Sequence, residues 1–390
     1  MKLKYTIIAV LALTLFSCKD KEEPQKQNTD KTQVLENYAN IVFASYSDVY
    51  QDVVAMKTAI DTFVADPTAL SQQKAKDAWL AARETYGQTE TFRFSNGPID
   101  DADGPEGLLN AWPLDENYVD YVSTDPNSGI INDVTNFPII NSTKLEKLNE
   151  KGDAKNISVG FHAIEFLLWG QDLTDPSEKK AGLRSYTDFT TAKNANRRGQ
   201  YLKVCAAQIV DLMAGLKDEW DPAKSKNYRA TFLAADPDQN LTNILQALGI
   251  FAKSELGGER VLVALSNKDQ EDEHSCFSDN THRDIYLNIK GVQNVFTGKY
   301  KSKYGAYISG KSISDLILVV DVTTQANAIT KIQKAVVAAE NIPNPFDLAI
   351  SDPIQKTLVN TTYLELQDVG DALVVVASKL GLTISTALPE

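Results

Sequence analysis

The sequence predicts an all-α protein built from two helical bundles. Apolar residues recur at steps of three and four along most of the chain after residue 33, which is the spacing of one helix face. Strand-like segments are few, and the clearest, "LILVVDV" (316–322), lies within a longer pattern that also fits a helix. A polar, proline-marked segment over 221–240 divides the chain, so we expect one bundle over 34–230 and a second over 231–390.

The N-terminus "MKLKYTIIAVLALTLFSC" predicts a bacterial lipoprotein signal. A basic start precedes an apolar stretch that is too short to span a bilayer, which is the pattern of a secretory signal peptide. The ending Leu-Phe-Ser-Cys resembles the lipoprotein box, in which the cysteine is lipidated and becomes the first residue. We therefore expect residues 1–17 to be removed and Cys18 to be lipidated; an ordinary signal peptide with a chance cysteine is the alternative.

The segment over 18–33 is predicted to be a lipidated tether, because the residues after Cys18, "KDKEEPQKQNTDKTQ", are all polar. No later segment has about 18 uninterrupted apolar residues, so the lipid alone is expected to hold the protein to a bilayer. The predicted location is the cell envelope, with the anchor in the outer membrane and the protein on its periplasmic or surface face.

Composition narrows the function classes. The 390-residue chain is 43% hydrophobic and 23% charged, close to ordinary globular proteins, so most of it should fold around a core. Its net charge of −13 argues against nucleic-acid binding, which would require a basic patch or stripe. Beyond the lipoprotein box, Cys205 and Cys276 remain, and both a disulfide and two free thiols are compatible with the sequence.

The helices are predicted from periodicity and from their breaks. Apolar residues from Val34 to Val64 follow helical steps, and Asp66-Pro67 ends this first helix. A second helix is predicted over "ALSQQKAKDAWLAARETYGQTETFRF", followed by an irregular Gly- and Pro-rich loop over 95–115. Further helices are predicted at about 196–220, 240–265, 281–297, 311–340 and 353–380.

The stretch "GFHAIEFLLW" (160–169) places a histidine and a carboxylate in an otherwise apolar helix. His162 and Glu165 are three residues apart and therefore share one face. Their neighbours are apolar around most of the helix, which predicts burial. A buried carboxylate without a partner is costly, so Glu165 needs one. A metal ion shared with His162 is one possibility, and an arginine or a His–Glu hydrogen-bond network is the other.

The known zinc-peptidase motifs are absent. His-Glu-x-x-His does not occur, and the inverted His-x-x-Glu-His fails because Phe166 stands in the place of the second histidine. The "DDADG" segment is similar to the start of a calcium loop, but the twelfth position of that loop would be Trp112 instead of glutamate. The sequence therefore leans against a peptidase.

Three separate segments resemble one known family. "GFHAIEFLLWGQD" matches the Gly-x-His-x-x-Glu motif of the imelysin family, which is named for insulin-cleaving metallopeptidases. "WLAARETYGQTETFRFSNGPIDD" looks like the companion segment of that family. "QEDEHSCFSDNTHRD" (270–284) resembles a block of the branch called iron-regulated protein A. In the right order along roughly residues 35–385, these segments identify the chain as a member of the family.

The resemblance implies two helical bundles with an interdomain cleft, the motif helix near their interface, and an iron-related role. It implies that His162 and Glu165 bind metal together with acidic residues of the earlier helix and loop, for which Glu90 and Asp100 are the candidates. Other matching polar residues are expected to line the cleft: Arg83, Arg93, His274, Asp279 and His282. The arginines would pair with carboxylates or a bound anion, and the histidine block is equally compatible with a capped helix start.

These inferences lead to one main hypothesis and two alternatives. We expect a lipid-anchored envelope protein that binds iron, or an iron-carrying ligand, in uptake, with an envelope transport partner and without catalytic turnover. Such ligands also suit zinc, copper or calcium, so the resemblance is what favours iron. Binding would need ionised carboxylates and neutral His162, so the affinity should fall below about pH 6. A zinc- or iron-dependent metallopeptidase with Glu165 as general base, and a non-metal binding module, are the alternatives.

Overall fold

The fold is all-helical, which confirms the predicted class. A computed structural model describes residues 22–389 of the chain. In chain order its α-helices are α1 (Glu22–Ala65), α2 (Ala69–Thr89), α3 (Glu106–Leu109), α4 (Glu116–Val119), α5 (Ser142–Glu146), α6 (Gly160–Trp169), α7 (Ala195–Glu219), α8 (Tyr228–Ala234), α9 (Pro237–Ile250), α10 (Val263–Asn267), α11 (Thr281–Thr297), α12 (Ile313–Val320), α13 (Val322–Glu340), α14 (Phe346–Ser351) and α15 (Lys356–Lys379).

Shorter elements connect these helices. A π-helical stretch, Phe251–Leu262, joins α9 to α10. The 3₁₀ turns are Glu90–Phe92, Pro176–Glu178, Tyr186–Phe189 and Gln270–Asp272. Strands β1 (Lys299–Lys301) and β2 (Tyr307–Ser309) form a small antiparallel hairpin in which Tyr300 lies opposite Ile308.

Two local differences from the predicted elements have clear physical causes. The expected helix over 311–340 is two helices, because the Asp321 side chain accepts a hydrogen bond from the Thr324 amide and begins α13. The strand candidate over 316–322 therefore falls in α12 and the start of α13. The hairpin of β1 and β2 was not predicted.

The N-terminal predictions are only partly covered by the described residues. The expected signal peptide (1–17) and Cys18 lie outside them. The tether expected over 18–33 is helical from Glu22, as the beginning of α1. No helix in the described part of the chain is long and apolar enough to cross a membrane.

Helix α2 is the element around which the candidate site is assembled. It packs against α1, against the motif helix α6 and against α11, which follows the 270–284 block. Helix α6 also packs against α7, and α11 against α13. Buried apolar residues form one connected core from Val34 to Ala377. The division near residue 230 stays a prediction, while α2 brings the Gly-x-His-x-x-Glu helix and the 270–284 block to the same place.

Candidate functional site

The motif helix α6 is completely buried and its position is fixed at both ends. Gly160 begins the helix with φ +89°, and a Cβ atom there would lie 2.6 Å from the Leu109 carbonyl oxygen, so only glycine fits. The Trp79 indole donates a hydrogen bond of 3.0 Å to the Phe161 carbonyl, which ties α6 to α2. The helix therefore holds His162 and Glu165 inside the core on a rigid support.

His162 and Glu165 contact each other directly. The His162 Nδ1 atom lies 2.9 Å from Glu165 Oε2, and the side chains are 1% and 0% exposed. The other carboxylate oxygen, Oε1, accepts hydrogen bonds from the Ser278 amide (3.0 Å) and hydroxyl (2.6 Å). The His162 Nε2 atom is buried and has no hydrogen-bond partner. This nitrogen is the polar atom of the motif that is left for a ligand.

Burial controls the protonation of this pair. Burial, with the nearby Arg83 charge as the next cause, lowers the pKa of His162 to about 3. Burial also raises the pKa of Glu165 to about 8, although its hydrogen bonds from Ser278 work in the opposite direction. Both side chains are therefore neutral at pH 7, and the imidazole carries one proton instead of two.

His274 joins the cluster from the 270–284 block. Its ring centroid lies 4.7 Å from that of His162, with the rings nearly perpendicular. Its Nδ1 atom lies 2.8 Å from Asp284 Oδ2, which also accepts a 2.5 Å hydrogen bond from the Ser275 hydroxyl. Burial, followed by the Arg260 charge, lowers the pKa of His274 well below its usual value. The site thus contains two neutral, buried imidazoles, each with Nδ1 beside a carboxylate.

Two buried arginines supply the positive charge of the cluster. Arg83 is 0% exposed and its Nη2 atom lies 3.1 Å from Asp284 Oδ1 and 3.9 Å from Glu90 Oε1. Arg260, from the π-helical stretch, places Nη2 2.6 Å from Glu90 Oε2. Burial alone would raise the pKa of Glu90, but the charges of Arg260 and Arg83 and the other nearby groups together outweigh it and hold the pKa at about 2. Glu90 is therefore ionised, although neither of its oxygens has a hydrogen-bond partner of good geometry.

A small polar cavity of about 130 Å³ lies beside His274 and Arg260. Its charged walls carry both signs, because Arg93 faces Glu255 at 2.9 Å and Glu106 at 3.4 Å. The full lining is Arg93, Glu106, Asn110, Ala111, Trp112, Glu150, Glu255, Arg260 and His274. The cavity gives a small ligand access to the edge of the buried cluster.

Comparison with known proteins identifies the family. The imelysin family model matches residues 42–373, which include α6 and the whole 270–284 block. The chain belongs to the imelysin family. This confirms the family inferred from the three sequence segments.

Three proteins similar to this imelysin match it over most of their length. Iron-regulated protein A of Synechococcus elongatus (strain ATCC 33912 / PCC 7942 / FACHB-805) is 24% identical over 358 residues, which cover 90% of this chain and 86% of the relative. The crystal structure of an iron-regulated protein A precursor from Parabacteroides distasonis ATCC 8503 has a TM-score of 0.72 at 22% identity and covers 90% of this chain and 95% of that one. An imelysin-like protein from Psychrobacter arcticum 273-4 has a TM-score of 0.64 at 12% identity, with 92% and 98% covered.

Three of the four predicted metal ligands of this imelysin lie in the cluster, and one does not. His162, Glu165 and Glu90 surround Arg83 and His274, as described above. Asp100 instead closes its own loop, because its Oδ2 accepts a 2.5 Å hydrogen bond from the Phe94 amide. Among the described side chains, His162, Glu165 and Glu90 do not bring three ligand atoms within 4.8 Å of one another.

The residues predicted to line the cleft are divided among three places. Arg83 and His274 are central to the cluster, and Arg93 lines the cavity. The His282 Nδ1 atom only contacts the Asp279 carbonyl oxygen, at 3.1 Å, and the Asp279 side chain belongs to a separate acidic group. Sequence reasoning missed Asp284 and Arg260. Asp284 is the last residue of the 270–284 block, so the sequence offered a signal for it. By contrast, nothing in "GGER" indicates that Arg260 is buried.

The donor set fits a metal ion best at His162 Nε2, which is buried and has no hydrogen-bond partner. The two Glu90 oxygens also lack hydrogen bonds, although Oε2 is paired with Arg260, and His274 Nε2 has only a long 3.5 Å contact to the Asn110 amide nitrogen. Nitrogen and carboxylate donors of this kind suit iron and other borderline divalent ions. Glu165 contacts the imidazole that would bind the metal, an arrangement that orients such a ring and selects its tautomer.

The Cys205 and Cys276 thiols are free and not bridged.

Proposed function

We propose that this imelysin is a lipid-anchored cell-envelope protein that binds iron, or an iron-carrying ligand, as part of iron uptake. The observation that carries the proposal is the buried, unpartnered Nε2 atom of His162, next to a second neutral imidazole and an ionised Glu90. The name of the Synechococcus relative supports the choice of iron.

Iron would be held by His162 and Glu90, with His274 as the third donor, and these side chains would have to close around it, because their ligand atoms do not all lie within 4.8 Å of one another. Once ionised, Glu165 would hold the proton of His162 on Nδ1 and leave Nε2 free to bind. Because Arg260 already pairs with Glu90 at 2.6 Å, metal binding has to compete with that ion pair. A negatively charged iron chelate avoids this competition, since Arg93 and Arg260 both line the adjoining cavity. The proposal therefore includes both forms of iron.

Calorimetric titration of the chelator-treated protein tests the proposal. Fe²⁺ under anaerobic conditions and ferric citrate would be added to the wild type and to His162→Gln, which keeps polarity but loses the imidazole. His282→Gln is the matched control, because that ring lies outside the cluster. We expect at least about a ten-fold weaker affinity for His162→Gln and no change for the control. Equal affinities of all three proteins, or no binding of either iron form, would refute the site.

Membrane attachment is tested separately from metal binding. Expression of the full chain and of Cys18→Ala, followed by membrane fractionation, should move the variant to the soluble envelope fraction. A wild-type protein that is not membrane-associated would remove the anchor from the proposal and leave the iron site untouched.

A further inference from the structure

Three aspartates from distant parts of the chain meet outside the histidine cluster. Asp172 lies just after α6, Asp279 just before α11, and Asp347 in the first turn of α14. One oxygen of each carboxylate lies within 4.8 Å of the others, and Asp172 and Asp347 are buried. Among the described side chains, no other three acidic, histidine or cysteine residues bring their ligand atoms so close together.

A fourth carboxylate supplies the independent observation. Glu273 is 1% exposed, and neither of its oxygens has a hydrogen-bond partner. Burial raises its pKa well above the usual value, and the charges that act on it most strongly are those of Asp347 and Asp279, so its carboxyl group lies beside the aspartates. A buried carboxylate with two unpaired oxygens is rare in folded proteins and needs a partner.

No positive side chain balances this acidic group. None of its four members forms an ion pair with a described lysine or arginine, and the charges that act most strongly on Asp279 are Asp347, Asp172 and Glu165, all acidic. In the histidine cluster, by contrast, Glu90 and Asp284 each contact an arginine. The acidic group therefore lacks the compensation that the same protein provides a short distance away.

The aspartates also keep oxygens available for a ligand. Asp172 uses Oδ1 for the Thr174 amide (3.0 Å) and hydroxyl (2.9 Å), and Asp347 uses Oδ1 for the Leu348 amide (2.6 Å). The Oδ2 atom of each accepts no hydrogen bond from a described residue, and neither does the Asp279 carboxylate. These hydrogen bonds hold two of the carboxylates in place and leave the second oxygen of each without a hydrogen bond from a described residue.

We propose that Asp172, Asp279 and Asp347, with the buried Glu273 beside them, form a second cation site, which binds a hard divalent ion of the Ca²⁺ type. All available donors are carboxylate oxygens, the ligands that Ca²⁺ prefers and that softer metals with nitrogen or sulfur preference do not select. Ca²⁺ also accepts the irregular geometry that three separate segments provide. The site goes beyond the proposed iron function and does not depend on it.

Occupation of this site would stabilise the neighbourhood of the motif. Asp279 directly follows Ser278, whose amide and hydroxyl bind Glu165. An ion held by Asp172, Asp279 and Asp347 would thus join the end of α6, the 270–284 block and α14. We expect Ca²⁺ to act as a structural cross-link near the histidine cluster.

Thermal unfolding of the full chain, with chelator and with CaCl₂, tests the proposal. Ca²⁺ should raise the Tm of the wild type by several degrees, because a ligand that binds only the folded state stabilises it. Asp347→Asn and Asp279→Asn should abolish most of this rise, with at least about a ten-fold weaker Ca²⁺ affinity by calorimetry. Asparagine tolerates the positive φ of 58° at position 279, so that variant should fold. Asp371→Asn, an exposed acidic control, should respond like the wild type.

The chelated variants give a second readout. Without Ca²⁺, Asp347→Asn and Asp279→Asn should be at least as stable as the wild type, because each removes a like charge from a group without a cation; a merely structural aspartate would give the opposite sign. No Ca²⁺ effect on the wild type, or an unchanged effect in both variants, overturns the proposal. His162→Gln should keep the Ca²⁺ response, and its loss there would show that the two sites are not separate.

Discussion

Replacement of Glu165 by glutamine should weaken iron binding while leaving the fold intact, because it fixes His162 in the wrong tautomer. The Ser278 amide and hydroxyl both donate to Oε1, so the oxygen of a glutamine must stay on that side. Its NH₂ group then takes the place of Oε2, 2.9 Å from His162 Nδ1, and donates to that nitrogen. The imidazole proton is forced onto Nε2, the atom that would bind the metal.

The size of the effect follows from the cost of restoring the correct tautomer. Nδ1–H and the glutamine NH₂ would then be two donors facing each other, which leaves a buried donor unsatisfied at about 1–3 kcal/mol. This corresponds to roughly a ten- to hundred-fold loss of iron affinity, which is also typical for changes of groups that orient a ligating histidine.

The pH dependence gives a second and more specific signature. With the pKa of Glu165 raised to about 8, the carboxyl group is protonated below that pH and the His162 proton is on Nε2. Metal binding then has to release one proton, so the wild-type affinity should rise about ten-fold per pH unit, or about 1.4 kcal/mol, from pH ~6 to pH ~8. Glutamine does not titrate, and Glu165→Gln should lose most of this slope.

Anaerobic Fe²⁺ calorimetry at several pH values in this range measures both quantities. Glu84→Gln is the control, since Glu84 pairs with Arg283 on the half-exposed face of α2. A Glu165→Gln protein with the affinity and pH slope of the wild type would refute the tautomer argument. A weaker but still equally pH-dependent affinity would show that another group releases the proton.

Two further predictions concern the stability of the site. Asp284→Ala should lower the free energy of unfolding by about 3–5 kcal/mol in urea denaturation, because it leaves the buried Arg83 without its closest carboxylate. The control Glu178→Ala removes an exposed ion pair and should change the free energy of unfolding by less than about 1 kcal/mol. Gly160→Ala should lower the free energy of unfolding by about 1–3 kcal/mol or more, because of the positive φ and the clash with a carbonyl. Gly215→Ala, in an open part of α7, should raise it by about 0.5–1 kcal/mol. Equal effects of the two substitutions would contradict the strain at the start of α6.

The sequence predicted the motif helix well because one local pattern determines its environment. The apolar neighbours of His162 and Glu165 predicted burial, and the i,i+3 spacing predicted contact. Both side chains are buried, and His162 Nδ1 lies 2.9 Å from Glu165 Oε2. The open choice between a metal and a His–Glu network is also answered in part, since the network exists and still leaves Nε2 of His162 unpaired.

The partners of the motif were harder to predict because they come from distant segments. Ser278 lies 113 residues after Glu165, and Arg260 reaches Glu90 from a π-helical stretch whose bonding pattern has no sequence signature. Asp100 lies apart from the cluster for the opposite reason: a carboxylate in a Gly- and Pro-rich loop is close to the backbone amides of that loop, and the Phe94 amide donates to its Oδ2 atom. The composition gives the number of acidic residues but does not show which of them are paired with a lysine or an arginine.

The distribution of positive charge separates the two groups of carboxylates. Around His162, Arg83 and Arg260 already compensate Glu90 and Asp284, so a free metal ion gains little from net charge and must be attracted by the imidazole lone pairs. Under the proposed function, such a site would favour iron that arrives with its own anionic ligand, because the arginines would then contribute to binding instead of opposing it. If so, the wild type should bind ferric citrate more tightly than Fe²⁺, and Arg93→Ala should weaken the chelate selectively. A stronger effect of Arg93→Ala on Fe²⁺ than on ferric citrate would show that the arginine acts only by holding Glu255 and Glu106 in place.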